Sequence, residues 1–270
     1  MRRLGTAWLV VLGCGCGFDI AAGPGIVPDA PVGPDAPAGL DAPDAPSTTC
    51  GNHVVESNEE CDDGNASPGD GCAACLIEPA WQCSSGPCVR VLSLSFALRE
   101  ALASAGSSGG GGVFTHACAA GAAIVGFEGD ASNGLTDIGH LRAGCATLSF
   151  AADGRIVWST IQNTPYEGGE QAGSLGTTRC ANDSIVVGYV ANAGLYLSGL
   201  RPICMQVRFV HGALAYGAPV TLPMFGPATG VLQPATQCAA GEATTVFEGK
   251  VGAVFDHFDL KCSAMTPVTQ

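Results

Sequence analysis

The chain has 270 residues, 47% of them apolar and only 13% charged, so at least part of it can bury a hydrophobic core. A formal net charge of -13 argues against nucleic acids and anionic lipid headgroups as partners. The 39 glycines and 17 prolines favour short strands over helices, and 14 cysteines argue against a reducing cytosol.

The amino terminus has the order of a secretory signal. Arg2 and Arg3 precede an apolar run at residues 7–12 that is too short to cross a bilayer, and small residues follow it. Residues 11–14 resemble a lipobox, in which a signal of residues 1–13 is removed and the thiol of Cys14 is acylated. Cys16 is the alternative. We predict an exported outer-membrane or cell-surface lipoprotein that contacts the membrane through its lipid anchor only.

Residues 14–49 are predicted to be a disordered stalk. From about residue 21 the sequence consists mainly of proline, alanine, aspartate and glycine, with near-repeats at 28–31, 34–37 and 41–46. Such a composition cannot bury a core, while proline and mutually repelling aspartates favour an extended chain. The stalk would hold a folded domain away from a membrane.

Residues 50–90 form a small cysteine-rich module. Its six cysteines are Cys50, Cys61, Cys72, Cys75, Cys83 and Cys88. So short a segment needs cross-links for stability, although the sequence leaves their pairing open. The sequences CGN at 50–52, ECDDGN at 60–65 and GDGC at 69–72 closely resemble the cysteine-rich repeat of myxobacterial surface proteins. Only two residues separate Cys72 from Cys75 where that repeat has three, so the partner of Cys75 stays open.

Two kinds of metal chemistry are conceivable in this module. A zinc or redox pair at Cys72 and Cys75 is disfavoured because the chain is exported and has no second such pair nearby. Four side chains on the glycine-rich loop offer hard oxygen ligands for calcium, namely Asp62, Asp63, Asn65 and Asp70. The alternative is that they only hydrogen-bond the turns of the loop. Calcium is the only cofactor that we consider.

Residues 91–112 connect the module to the rest of the chain. Leu92, Leu94, Phe96 and Leu98 alternate as in a strand, whereas residues 99–105 suit a helical turn. A Gly/Ser run follows. The sequence does not decide between a strand and a helix for this segment.

Residues 113–265 contain three copies of one unit, followed by a tail at 266–270. The copies begin at Cys118, Cys180 and Cys238, and each reaches a second cysteine, at Cys145, Cys204 and Cys262. The first cysteines lie 62 and 58 residues apart, and the two within a copy lie 27, 24 and 24 residues apart. Each copy has β-branched runs interrupted by glycines, which is typical of antiparallel strands and tight turns.

We therefore predict an all-β fold, in which three Greek-key sheets form a three-fold β-prism and bury their apolar faces against one another. The repeats resemble the bacterial relatives of jacalin-type lectins and of the vitelline membrane outer layer protein, and the paired cysteines favour the second relative. Because strands paired within one repeat bring its ends together, we expect three disulfides: Cys118–Cys145, Cys180–Cys204 and Cys238–Cys262.

The resemblance to mannose-binding jacalin-type lectins also implies a sugar site. Those lectins combine a glycine-rich loop near the start of the domain with a late GxxxD segment. The loop is matched here by Gly109, Gly110, Gly111 and Gly112, and the segment by residues 252–256, which only the third repeat has. Asp256 would accept hydrogen bonds from sugar hydroxyls, and Phe255 or His257 would stack on a sugar face. The alternative is that Gly252 only permits a turn and Asp256 only caps it.

Other motifs carry little weight. Residues 106–110 match GxSxG but lack the strand and helix that hold a nucleophilic serine. The five histidines, His53, His116, His140, His211 and His257, show no metal or triad spacing. We predict a surface lipoprotein with a carbohydrate-binding or adhesive role, whose partner is a glycan or another envelope component. The alternatives are a weak glycan-modifying enzyme, which needs two converging carboxylates, and a structural envelope component without a small ligand.

Overall fold

A computed structural model describes residues 50–84, 86–169 and 171–270 of the chain. The predicted signal peptide, the stalk and the lipidation at Cys14 or Cys16 lie outside the described residues. Thr48–Gln270 forms one compact unit. All regular structure in the described ranges is β-strand. No helix in this part of the chain is long and apolar enough to cross a membrane.

The strands follow the chain in short and long segments. They are β1 (Cys72–Ala73), β2 (Leu76–Ile77), β3 (Trp81–Ser84), β4 (Gly86–Ala101), β5 (Ala105–Gly106), β6 (Gly112–Ala117), β7 (Ala122–Ala131), β8 (Ile138–Phe150), β9 (Ile156–Trp158), β10 (Gln162–Asn163), β11 (Gly173–Arg179), β12 (Ser184–Ala193), β13 (Leu197–Val210), β14 (Ala213–Tyr216), β15 (Val220–Thr221), β16 (Val231–Leu232), β17 (Thr236–Gln237), β18 (Glu242–Val251) and β19 (Phe255–Thr269).

Each of the three repeats folds around one long antiparallel hairpin: β7–β8, β12–β13 or β18–β19. Each hairpin has two register shifts at corresponding places, one near the cysteine end and one near the tip. Bulges of this kind increase the twist of a strand pair, which helps three sheets to wrap around a common axis. A disulfide closes the cysteine end of each hairpin, and the pairs are those that the repeats predict: Cys118–Cys145, Cys180–Cys204 and Cys238–Cys262.

Short strands flank each hairpin and widen it to a sheet. In the first repeat β11 pairs with β7, and β9 and β10 pair with β8. In the second, β16 and β17 pair with β12, and β14 and β15 pair with β13. The third hairpin takes its flanking strands from the amino-terminal side, because β6 pairs with β18 while β4 and β5 pair with β19. Residues 91–101 are therefore strand and not helix, and residues 266–269 belong to β19 and not to a separate tail.

The apolar faces of the three sheets meet along a common axis. β7, β12 and β18 pack against one another there. Large aromatic side chains fill the space between them, including Phe127, Tyr189, Phe247 and Phe258, none of which is more than 2% exposed. This three-sided, all-β arrangement is a β-prism. It buries faces that a single sheet would leave in water.

The cysteine-rich module is small and heavily cross-linked. Its disulfides are Cys50–Cys75, Cys61–Cys72 and Cys83–Cys88, so Cys72 and Cys75 join different partners and hold no metal. The module is tied to the second repeat, where the Ala80 N–H donates to the Phe209 carbonyl at 3.0 Å. His211 adds a contact of 3.0 Å to the carboxylate of Glu60.

Candidate functional site

Asp256 lies at the tip of the third hairpin, where the register of β18 and β19 shifts. It is the sixth residue before the second cysteine of its repeat, and Gly139 and Ser198 take that place in the first and second repeats. The residue is 9% exposed. Of the three repeats, only the third therefore has a carboxylate at this position.

The glycine loop lies directly against this carboxylate. Gly110 has a φ of +82°, and a Cβ atom built there would lie 2.5 Å from Asp256 Oδ1. Gly111 has a φ of +52°, and a Cβ atom there would lie 2.5 Å from the Val251 carbonyl oxygen. Both glycines are needed because any side chain would collide with the hairpin, quite apart from the left-handed backbone that they adopt. The structure thus brings together the two segments that the sequence separates by about 140 residues.

Hydrogen bonds fix the loop on both sides of the glycines. The Ser107 N–H donates to the Asp256 carbonyl at 2.7 Å, and Lys250 Nζ donates to the Ser108 carbonyl at 2.5 Å. Beyond the glycines, Gly112 pairs with Val251 at the start of β6. The loop is therefore held over the carboxylate by the same hairpin that carries it.

The carboxylate oxygens of Asp256 accept no hydrogen bond from any described residue, and they are not among the fully buried atoms without a partner, so they reach solvent. This argues against the alternative in which Asp256 only caps a turn, since a cap needs such bonds. A partly accessible carboxylate with free acceptor positions suits a ligand that donates hydrogen bonds, such as vicinal hydroxyls. The glycines leave space for the backbone to approach that ligand closely.

The neighbours of Asp256 have different surroundings. Phe255 is completely buried and packs edge-on against Phe114, so the prediction that it stacks on a sugar is wrong. The register shift turns its side chain into the core. His257 is partly exposed opposite Lys250 and beside Gly106, and its Nδ1 has no hydrogen-bond partner among the described residues. Stacking by His257 stays a prediction.

The other two repeats have no carboxylate at the position that corresponds to Asp256. Ser198 is 1% exposed, and its hydroxyl hydrogen-bonds to the Asn192 carbonyl at 2.9 Å and contacts the Thr229 carbonyl. In the first repeat Gly139 has no side chain to offer, and the carboxylate of Asp137 accepts a hydrogen bond from Thr136 Oγ1 at 2.8 Å. At the second tip, Asn192 Oδ1 is buried without a hydrogen-bond partner among the described residues. The third tip differs from the other two in having a carboxylate at the corresponding position.

A polar cluster on the outer face of the first repeat was not predicted from the sequence. The ring of Tyr166 stacks on His140 at 4.1 Å and lies 4.1 Å from the Arg142 guanidinium. Its hydroxyl donates to Glu128 at 2.7 Å, and Arg142 also contacts Glu128 at 2.9 Å. The Tyr166 hydrogen bond and Arg142 hold the pKa of Glu128 below its usual range against the effect of burial. Tyr166 and Arg142 thus both donate to one carboxylate oxygen of Glu128, while Arg142 Nε has no hydrogen-bond partner among the described residues.

Two carboxyl groups lie opposite each other on the outer face of the third repeat. Glu248 and Asp259 are cross-strand partners, and Glu248 is paired with Lys261 at 2.8 Å. Burial raises the pKa of Asp259 to about 7, and the nearby charge of Glu248 adds to the increase. Asp259 is only 8% exposed, so this pair is not presented to a substrate as the enzyme alternative requires.

The four predicted calcium ligands largely hydrogen-bond within their own loop. Asp62 accepts four backbone N–H groups, from Gly51, Asn52, His53 and Gly64, at 2.8 to 3.1 Å. Burial opposes the ionisation of Asp62, but these donors lower its pKa overall. Asp63 accepts the Asn65 N–H at 3.3 Å, and the Asn65 side chain donates to Asp70 at 3.0 Å. Asp62 thus acts as a turn anchor, and calcium binding by this loop stays a prediction.

Comparison with sequence families identifies the module only. Residues 47–76 match the model of a family described as a domain of unknown function, DUF4215. This segment is of the cysteine-rich repeat type and contains the CGN, ECDDGN and GDGC sequences. No curated protein matches the chain in sequence.

The β-prism part of the chain is similar to solved lectin structures. Calystegia sepium agglutinin is 12% identical over 62% of this chain and 97% of its own, with a TM-score of 0.42. A mannose-binding jacalin-related lectin from Ananas comosus is 14% identical over 63% of this chain and 98% of its own, with a TM-score of 0.38. A single-chain recombinant jacalin is 12% identical over 61% of this chain and 93% of its own, with a TM-score of 0.37.

Proposed function

We propose that this protein binds a saccharide at the tip of its third repeat, with Asp256 as the principal acceptor and the glycine loop as the opposite wall. The observation that carries the proposal is the Asp256 carboxylate, which no described residue hydrogen-bonds and which lies so close to Gly110 that a Cβ atom there would collide with it. Hydroxyl groups of a sugar would donate to this carboxylate in charge-assisted hydrogen bonds. His257, partly exposed beside the loop, would contribute an aromatic face.

The ligand is expected to be a neutral glycan. The chain carries a formal charge of -13, so an anionic polysaccharide would be repelled from most of its surface. At the site itself, a second carboxylate on the ligand would face that of Asp256. Neutral hydroxyls avoid both penalties.

The protein would be a surface lipoprotein that presents this site. A lipid at Cys14 or Cys16 and the acidic stalk would place the prism outside the membrane, in contact with glycans or other envelope components. Calcium binding by the cysteine-rich loop belongs to the same proposal and would rigidify the base of the prism. If replacing Cys14 and Cys16 together with serine leaves the protein in the membrane fraction, the anchor is not a lipid on either cysteine.

A glycan array tests the binding proposal, with wild type, Asp256→Ala and Asp137→Ala compared on the same printed sugars. Asp137 is the matched control because it lies at the tip of the first repeat with its carboxylate already engaged by Thr136. We expect wild type and Asp137→Ala to bind one set of neutral glycans, and Asp256→Ala to lose about 1.5 to 3 kcal/mol of binding free energy.

Three outcomes would count against the proposal. Equal binding by wild type and Asp256→Ala, with circular dichroism unchanged, would place the site elsewhere. Cleavage of the sugars would favour the glycan-modifying enzyme. An empty array would favour the purely structural envelope component.

A further inference from the structure

We infer that Lys250 is a positioning residue, which locks the glycine loop over Asp256 and so sets the affinity of the saccharide site. The inference rests on the proposed function, but it concerns a residue that neither the glycine loop nor the GxxxD segment contains. Lys250 would not touch the sugar. It would act through the backbone of the loop.

The contact that carries the inference is specific. Lys250 Nζ donates to the Ser108 carbonyl at 2.5 Å, immediately before the four glycines. No carboxylate among the described residues forms an ion pair with this ammonium group, although acidic residues outnumber basic ones by 24 to 11. The ammonium group is therefore directed to a backbone carbonyl of the loop and not to a surface salt bridge.

The same position differs in the other two repeats. Lys250 lies twelve residues after the first cysteine of its repeat, where the first repeat has Asp130 and the second has Asn192. Asp130 instead contacts His140 at 3.4 Å, and the Asn192 side chain donates to Ala228 at 3.2 Å. The lysine thus coincides with the tip at which an aspartate occupies the corresponding position and lies against residues 109–112.

The composition of the loop explains why a hydrogen bond is needed to hold it in place. Four successive glycines have more backbone freedom than any other sequence, so ordering them costs the most conformational entropy. If the loop were free, this cost would fall on ligand binding and weaken it. The charge-assisted hydrogen bond from Lys250 and the bond from the Ser107 N–H to the Asp256 carbonyl order the loop before the ligand binds. Less conformational entropy is then lost on binding.

The experiment compares Lys250→Met and Lys250→Arg with wild type, and uses Lys261→Met as the matched control. Lys261 lies on the same face of the same hairpin but pairs with Glu248 at 2.8 Å. Two readouts are needed: amide hydrogen exchange of Ser107, measured by NMR without ligand, and affinity for the best neutral glycan from the array. The first readout does not depend on the proposed function.

In Lys250→Met we expect the Ser107 amide to exchange at least about tenfold faster and the affinity to fall by about tenfold, the loss of one hydrogen bond from a charged donor. Lys250→Arg should restore both values because a guanidinium also donates to a carbonyl. Lys261→Met should change neither. Unchanged Ser107 exchange in Lys250→Met would overturn the inference. If Ser107 exchanges faster in Lys250→Met but wild type binds no glycan, the proposed function is refuted, while the role of Lys250 in holding the loop is still supported.

Discussion

The proposed saccharide site depends on the carboxylate of Asp256, which no described residue hydrogen-bonds. Burying a charged group without hydrogen bonds is costly, and folded proteins generally provide partners for such groups. Asp62 follows this rule with four backbone donors. No described residue hydrogen-bonds the Asp256 carboxylate, and its oxygens are not among the fully buried atoms without a partner, so they reach solvent. Under the proposed function, hydroxyl groups of the ligand would replace water at these oxygens.

The glycine loop allows a sharp test at single-residue level. Gly110→Ala would place a Cβ atom 2.5 Å from Asp256 Oδ1 and would also strain a backbone with a φ of +82°, so it should displace the carboxylate and abolish saccharide binding. Gly109→Ala is the control, because a Cβ atom at that position meets no atom within 4 Å. Isothermal titration calorimetry with the same glycan would compare them. Similar affinities for the two variants would show that the loop does not form a wall of the site.

Asp259 makes the stability of the prism depend on pH. Its pKa of about 7 in the folded state lies above its ordinary value of 3.8, so the native state holds a proton that the unfolded chain has released. The free energy of unfolding should therefore decrease as pH rises from about 4 to 7, by about 2 kcal/mol after allowance for solvent screening. Asp259→Asn should remove this part of the pH dependence and be more stable than wild type at pH 8.

Urea unfolding at several pH values would measure the effect. Asp137→Asn serves as the comparison, since its carboxylate lies at an accessible tip. If Asp259→Asn and wild type lose stability in parallel between pH 4 and 8, Asp259 is not protonated in the folded state near neutrality.

Some residue roles could not be predicted from the sequence. The proximity of Asp256 and the glycine loop could be, because both belong to recognisable short motifs, but their role in binding stays a prediction. Phe255 could not, because a one-residue register shift decides whether a side chain faces the core or the solvent. The cluster around Tyr166 was also invisible, since its members come from three separate segments and meet only after the sheet has formed.

The three long hairpins are the elements that the sequence predicted best. The repeated cysteines, glycines and β-branched runs determine both the strands and the disulfides, since local pairing within a repeat needs little information from elsewhere. The strand β4 is the opposite case. Its alternating apolar residues suited a strand, but its partner β19 lies at the other end of the chain, so nothing local decided between strand and helix.

The disulfides of the hairpins should stabilise the protein more than that of the β3–β4 turn. Replacing Cys180 and Cys204 with alanine opens a loop with a sequence separation of 24, whereas replacing Cys83 and Cys88 opens one of 5. In the chain-entropy model the losses are about 3.5 and about 2 kcal/mol, respectively. Urea unfolding of the two double variants under oxidising conditions would measure them. A larger loss from the short loop would mean that local packing and not loop closure dominates.

At the scale of the whole molecule, three similar repeats differ in that only the third has an aspartate at the sixth residue before its second cysteine. The amino-terminal segment completes the third sheet with β4, β5 and β6, and the glycine loop lies between the last two of these strands. The topology that closes the prism therefore also delivers the loop to Asp256. Repeats one and two also have glycines against their tips, Gly168 beside Gly139 and Gly230 beside Ser198, but neither has a carboxylate at the corresponding position. The scaffold is three-fold, but the proposed site is not.

The most direct test of the account is an NMR titration of residues 50–270 with the neutral glycan that binds best on the array. We predict chemical-shift changes confined to two segments, residues 106–112 and 250–257, with the largest changes at Gly110 and Asp256. The corresponding tips at Gly139 and Ser198 should not respond. Changes centred on the Tyr166 cluster or on the cysteine-rich module, or no changes at all with a glycan that binds, would contradict the assignment of the site to the third repeat.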